Sequence, residues 1–316
     1  MTILAYLSNK LLISSAELIG FVNTAPYRYK VYPIPKRSGR GVRIIAQPTD
    51  VLKVMQRMVL ESFLVGLPVH HCATAYRDGV GIRENATEHL KSKYLLKMDF
   101  SDFFPSIGPK DLILHIKKHR GEISKEDAYA VKKLFFWTKK KDPVHKLSIG
   151  APSSPFISNT LMYEFDCRIF EECARLEISY TRYADDLTFT TNKQGILFEL
   201  PSLVVRICRE IDYPTLNINA DKTVFSSKGR NRHVTGLVLT NDDKISLGHE
   251  KKRYVRSLIY RYSLGGMSSD EIYSLKGMLA FAKHVEPSFY QSVVRKYGEA
   301  VVGSIVSFQL IKQVAQ

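Results

Sequence analysis

The sequence predicts an α+β fold, on three observations. Residues 178–191, ISYTRYADDLTFTT, set β-branched and aromatic side chains on either side of Ala184-Asp185-Asp186, the pattern of two strands joined by a tight turn. A second apolar run, residues 94–98, ends on Asp99 and continues as Phe100-Ser101-Asp102-Phe103-Phe104-Pro105. Amphipathic helical patterns flank these strands, at 49–67, at 124–137 and beyond residue 248.

Composition narrows the class before any motif does. A chain of 316 residues is long enough for two or three domains or one elaborate one, and 45% hydrophobic against 24% charged residues excludes disorder as its theme. The 46 Lys and Arg against 31 Asp and Glu leave a net charge of +15, interleaved with 17 Tyr and 16 Phe. That balance suits a surface that tracks phosphates and stacks on bases, so nucleic acid is the leading partner. The four cysteines form no C-x-x-C pair, which predicts reduced thiols in a cytoplasmic protein. In His70-His71-Cys72 the adjacent side chains are expected to point apart and hold no metal. No signal peptide is expected, and no apolar stretch reaches the ~18 residues of a membrane span.

In chain order, residues 1–25 carry leucines at helical spacing, with Ser14-Ser15 ahead of Glu17 as a second start signal and Pro26 as the stop. Residues 27–34 and 42–46 read as strands joined by a basic glycine turn. Lys36, Arg37, Arg40 and Arg43 there suit a clamp on a triphosphate or nucleic-acid backbone, or a solvated hairpin tip. The 49–67 helix has Val51, Leu52, Met55, Met58, Val59 and Phe63 on its apolar side. Glycines 79 and 81 precede a helical 85–90, where Arg77, Arg83 and His89 either touch phosphate or template, or cap and pair locally.

Residues 109–118 and 124–137 are expected as helices, with Lys139-Lys140-Lys141 a solvated charge run after them. Residues 148–158 are small and include GAPSSP, where a nucleotide or a neighbouring backbone comes close. From 159 the chain is helical, with Leu161, Met162, Phe165, Ile169, Phe170 and Cys173 as its apolar residues, and leads into the acidic hairpin. A helix at 203–211, an Asn-rich turn ending in Lys222-Thr223, and strands at 224–226 and 232–240 follow. Beyond 248 come a basic amphipathic helix, a helix opened by the capping box of Ser268 and Glu271, and a third from Pro287 to Gly298. Residues 301–311 read as a packed helix or strand.

Asp99, Asp185 and Asp186 thus sit at strand tips, far apart in sequence. Acids desolvated at such tips need a cation, and converging on two metal ions about 3.5–4 Å apart they have the geometry for in-line phosphoryl transfer. With MDFSDFFPSI around Asp99, GAPSSP and YADD in place, the chain resembles reverse transcriptases. Asn85-Ala86-Thr87-Glu88-His89, as an N-A-x-x-H segment, and Val234-Thr235-Gly236 narrow the resemblance to the retron reverse transcriptases of bacteria, from about residue 27 to the C-terminal helices.

The resemblance implies a right-hand polymerase: fingers at 1–93 and 109–150, a palm of antiparallel sheet plus helices at 94–108 and 151–245, and a helical thumb at 246–316. Asp99, Asp185 and Asp186 would be the catalytic residues, holding two Mg²⁺ ions, or Mn²⁺ in their place, with the Phe100 carbonyl as a further ligand. As neighbours on a strand, Asp185 and Asp186 need not contribute equally. Lys36 and Arg43 would grip the triphosphate, with Asp102, Phe103, Gly150 and Ala151 beside the nucleotide. Phe104 would be the steric gate against a ribose 2′-OH. Lys222 would act as general acid near the leaving group, or belong to a structural turn. Arg77, Arg83, Asn85, His89, Tyr183, Lys251, Lys252, Arg253 and Arg256 would bind nucleic acid. Many reverse transcriptases carry Pro-Gln ahead of the loop glycine; Ser148-Ile149 here removes a polar contact to the sugar and predicts altered nucleotide affinity or fidelity.

The implied activity is RNA-directed DNA synthesis. Part of a cognate structured non-coding RNA would be copied into a short cDNA from a guanosine 2′-OH, giving a branched RNA–DNA product, msDNA. A role in anti-phage defence with a separate effector protein is implied too. So is removal of template by host RNase H, since this length leaves no room for that domain. The alternatives are a reverse transcriptase related to group II introns or diversity-generating elements, and an RNA-binding scaffold without catalysis, against which the intact acids argue.

Overall fold

The strands predicted to carry acids lie side by side. Ser179–Tyr183, Asp186–Thr191, Tyr94–Ser101 and Asn217–Ile218 follow one another in that order across one sheet. The computed structural model describes residues 1–36 and 41–309, so Arg37 and Arg40 lie outside the described residues, as does the end of the 301–311 segment. The chain forms two units, Met1–Gly79 with Leu96–Phe225, and Val80–Leu95 with Ser226–Gln316. No described helix is long and apolar enough to cross a membrane.

In the first unit the N-terminal helical stretch is two helices, Ile3–Leu11 and Ser15–Thr24, parted at Leu12 with φ 54 and restarted by the Ser14–Glu17 capping box. The basic hairpin pairs Tyr29–Pro35 with Val42–Pro48 from Tyr29↔Pro48 to Pro35↔Val42. The helix predicted to run to 67 is α-helical only over Asp50–Val59 and loosens into a wide turn at Leu60–Leu64. Gly66 (φ 86) and Pro68 cannot extend it. Its buried face is Leu52, Met55, Gln56 and Val59, the i, i+3, i+4, i+7 set, whereas Val51 is exposed.

Two further boundaries move for local reasons. The 124–137 helix stops at Phe135, because Phe136–Trp137 turn into a short strand paired with Lys146–Leu147, where their rings are buried. The small-residue stretch is loop only as far as Ser153. A helix Ser154–Leu161 starts inside it, with Pro155 in the first turn, where its missing N–H costs nothing.

In the second unit the helix expected at 85–90 lies at Ile82–Thr87, because the Glu84 carboxylate accepts the Gly81 N–H at 2.8 Å and starts the helix early. The strand expected at 232–240 is a hairpin, Arg232–Val234 against Leu237–Leu239. Thr235 (φ 46) and Gly236 (φ 80) take the paired left-handed conformations of a two-residue turn. Four helices follow, His249–Ser263, Ser269–Val285, Pro287–Tyr297 and Glu299–Ser307. Val255, Leu258, Ile259, Leu275, Leu279, Val293, Val302 and Ile305 from these helices close one core with Val234, Leu237 and Leu239 of the hairpin.

Candidate active site

Strand Tyr94–Ser101 is buried along most of its length, and Asp99 near its end is only 6% exposed. The register Tyr183↔Asp186 leaves Ala184-Asp185 as a two-residue turn, with φ 57 at Ala184, a position that usually takes glycine. The Phe100 N–H donates to the Asp185 carbonyl at 3.2 Å, which seats this turn beside Asp99.

The two carboxylates of the turn both have their pKa pushed up. Burial, then the charge of Asp99, pushes the Asp185 carboxyl up. Burial pushes Asp186 up to about 6, against the pull of Lys97, with Asp185 and Asp99 adding to the rise and a side-chain hydrogen bond linking Asp186 to Asp99. Asp185 lines the cleft in front of the turn, whereas Asp186 is not among its lining residues and bonds the Asp99 side chain instead. The exposed Lys222 ammonium lies 2.7 Å from Asp99 Oδ1. Among the described residues no three His, Cys, Asp or Glu side chains are arranged as a ready coordination sphere. The donor set is nonetheless all hard oxygen with surplus negative charge, which fits Mg²⁺ or Mn²⁺ rather than a soft metal.

A cleft of about 500 Å³ opens in front of these acids. It brings together Lys36, Arg43, Asp99, Phe100, Asp102, Phe103, Phe104, Asp185 and Lys222, all named from sequence. The Phe103 ring is buried, stacked on Phe100 at 5.6 Å, and Phe104 stands edge-on to it at 5.3 Å, half-buried and facing the cleft. Gly150 and Ala151 line a neighbouring pocket of about 420 Å³ that shares Tyr76, Phe104 and Ile149 with the cleft. A Cβ on Gly150 (φ 120) would meet Ile45 Cγ2 at 3.1 Å and the Ala46 carbonyl at 3.4 Å. The Ala46 N–H donates to the Ile149 carbonyl at 2.9 Å, so the small residue admits the hairpin backbone.

The residues assigned to nucleic acid scatter. Arg77 spends its guanidinium on the carbonyls of His71 (2.8 Å) and Ala73 (3.2 Å), and Tyr183 is half-buried beside the acid turn. Asn85 and His89 are buried, and burial lowers the His89 pKa to about 3, so a neutral imidazole sits in the core. Their assignment to nucleic acid is corrected: this segment turns them inward, and buried side chains touch no phosphate. Arg83 and Lys252 line a groove of about 500 Å³ in the second unit, where Lys252 pairs with Glu286. Lys251 donates to the Gly236 carbonyl at 2.8 Å, Arg256 lies over the Phe289 ring, and Arg253 is exposed.

His70 and His71 also depart from expectation. Their rings lie 4.2 Å apart, and His70 Nδ1 is 3.0 Å from Cys72 Sγ, because the chain turns here, with Ala73 N–H on the His70 carbonyl, instead of running extended.

Sequence reasoning missed Tyr76, Trp137, Lys139 and Lys146 in the cleft lining. Burial, then the charges of Asp185 and Tyr183, raises the Tyr76 hydroxyl pKa, which puts that side chain in the field of the acid turn. Also missed was the fully buried pair Arg182–Asp166 beneath the turn. The partial signal was an arginine inside a strand of β-branched and aromatic residues; its partner, an acid on the preceding helix, is not marked by sequence.

A cleft that gathers acids, a basic hairpin and an aromatic ring has the chemistry to hold a nucleoside triphosphate. Residues 34–251 match the family described as reverse transcriptase (RNA-dependent DNA polymerase). The chain belongs to this family and is an RNA-directed DNA polymerase. Within it, the relatives include retron enzymes of Escherichia coli and Myxococcus xanthus. The chain is 44% identical to the retron Ec83 reverse transcriptase over 282 residues, covering 89% of this chain and 90% of the relative. It is 31% identical to the retron Ec73 reverse transcriptase over 292 residues, again 89% and 90%. The chain is a retron-type reverse transcriptase.

Proposed function

We propose that the chain copies part of a cognate structured RNA into a short cDNA, priming from a guanosine 2′-OH and leaving a branched RNA–DNA product. The observation that carries this reading is the convergence of Asp99 and Asp185 with Lys36, Arg43 and the Phe104 ring in one cleft. Asp99, Asp185, Asp186 and the Phe100 carbonyl would hold two Mg²⁺ or Mn²⁺ ions. Such ions, when bound, lower the pKa of the priming hydroxyl and neutralise the triphosphate and leaving pyrophosphate.

The chain's own groups do the rest. Lys36 and Arg43 orient the triphosphate by charge-assisted hydrogen bonds. The Phe104 ring fills the space a ribose 2′-OH would need. Lys222, whose ammonium already reaches the acid cluster, gives a proton to the leaving pyrophosphate. Fingers at 1–93 and 109–150, palm at 94–108 and 151–245, and thumb at 246–316 are the domain names this reading assigns. The exposed Arg253 and Arg256 supply part of the phosphate attraction. Kinship with retron enzymes supports the cognate RNA as partner, a cytoplasmic setting, template removal by host RNase H, and a defence role with a separate effector protein.

Two experiments test the reading. Sequencing the nucleic acid that copurifies with the chain should find one RNA joined through a 2′ branch to a short cDNA; unbranched cDNA alone would refute the retron route. Phe104→Ala should admit ribonucleotides in primer extension, whereas unchanged sugar selectivity would reduce the ring to packing.

A further inference from the structure

Beneath the acid turn, Arg182 makes three bonds to Asp166, Nε to Oδ1 at 2.9 Å and to Oδ2 at 3.1 Å and Nη2 to Oδ2 at 2.6 Å, with both side chains fully buried. The remaining nitrogen, Nη1, donates to the Ala184 carbonyl at 3.0 Å and to Asn159 Oδ1 at 3.2 Å. Asn159 Nδ2 then donates to the Ala75 carbonyl at 2.8 Å. One guanidinium and one amide therefore reach two backbone segments, one leading to Asp185 and the other to Tyr76.

Both segments are strained where they are held. Ala184 has φ 57 and Tyr76 φ 58, a left-handed region that L side chains visit only at a steric cost. Such conformations persist only where surrounding bonds over-determine them. Here the bonds fall on the carbonyl of Ala184 itself and on the peptide entering Tyr76. Asp185 and Tyr76 both line the cleft.

We propose that Asp166, Arg182 and Asn159 form a positioning network that fixes the acid turn and Tyr76 relative to each other, coupling metal placement to the nucleotide seat. None of the three lines the cleft, so they act through Asp185 and Tyr76. The proposal rests on the reading of the cleft as the polymerase site.

The test uses the full chain. Arg182→Lys keeps the buried charge and loses the fork; Asn159→Ala removes the link to Ala75 without burying a new charge. A displacement of about 1 Å at reacting groups costs up to about a hundredfold. Arg182→Lys should therefore lower single-nucleotide kcat by about tenfold to a hundredfold and weaken Mn²⁺ binding, read by electron paramagnetic resonance without substrate. Asn159→Ala should raise the dNTP KM by about tenfold with a smaller change in kcat, RNA retention being unchanged. It carries the test alone if Arg182→Lys does not fold. Folded Asn159→Ala with the parent's KM, kcat and Mn²⁺ affinity, and only a lower melting temperature, would overturn the proposal and leave core packing. Asp185→Asn, assayed alongside, separates the failures. Retained synthesis there sinks the reading of the cleft, whereas a dead Asp185→Asn beside a parent-like Asn159→Ala sinks the network alone.

Discussion

Two hairpins in this chain are built on a fully buried arginine, and they use it differently. In Ser179–Thr191 Arg182 meets the carboxylate of Asp166, and that charge holds the guanidinium pKa up although burial works against it. In Arg232–Leu239 Arg232 bonds only carbonyls, those of Leu90, Ser92 and Thr240, and burial lowers its pKa. Each turn has left-handed backbone, Ala184 in one and Thr235-Gly236 in the other. Yet one presents the Asp185 carboxylate to a cleft, while the other packs against the core of the second unit. A hairpin that must expose acids at a fixed position needs a rigid, charge-balanced floor; one that only closes a core needs its carbonyls satisfied.

That contrast can be broken from either side. Arg182→Met leaves the Asp166 charge buried and unpaired, and should cost about 3–5 kcal/mol in denaturant unfolding. Arg182→Met with Asp166→Leu should recover most of that stability but not the activity. Arg232→Met leaves no lone charge, only carbonyls without donors, and should cost less, about 2–3 kcal/mol, with synthesis by the folded fraction intact. Equal losses at the two sites would erase the distinction.

His89 sharpens the same point through pH. Its folded pKa is lowered to about 3, while an unfolded imidazole titrates near ~6.5. Above that value both states are neutral and the group contributes nothing. As pH falls below it only the unfolded state gains a proton, so stability declines, by about 2 kcal/mol at pH 5 and further towards the folded pKa. His89→Gln should lose less stability between pH 7 and pH 5 than the parent; identical acid sensitivity would place the burden on other groups.

The smallest effect concerns the turns. Ala184→Gly should stabilise by up to ~1 kcal/mol, since it relieves the strained φ and keeps the backbone carbonyl that Arg182 binds. Thr235→Gly should be near neutral, because relief there is offset by the lost bond from Thr235 Oγ1 to the Ile82 carbonyl at 3.2 Å.

Much of this was legible in the sequence because local rules decide it. Strand-forming residues around Ala-Asp-Asp, an acid after an apolar run, and the Ser14 and Ser268 capping boxes all specify their own structure. The acids, the basic hairpin and Phe104 converge as the residue types implied. What escaped depends on distant partners. Asp166 reads as an ordinary helix acid until Arg182 is found beneath it. Tyr76 gains its place from a loop bonded to the edge of the acid strand, through Thr74 N–H on the Arg182 carbonyl at 2.8 Å. Asn85 and His89 look available in sequence because nothing local shows that their segment faces inward. The break at Thr235-Gly236 was missed because β-branched neighbours outweighed a glycine in a short apolar run.

The central claim is that the carboxylates at the turn perform nucleotidyl transfer in the cleft. Single-nucleotide primer extension by Asp185→Asn on an RNA template, with retained RNA measured on the same preparation, tests it most directly. The account predicts full loss of incorporation with RNA binding at the parent's level; incorporation at the parent's rate would contradict it.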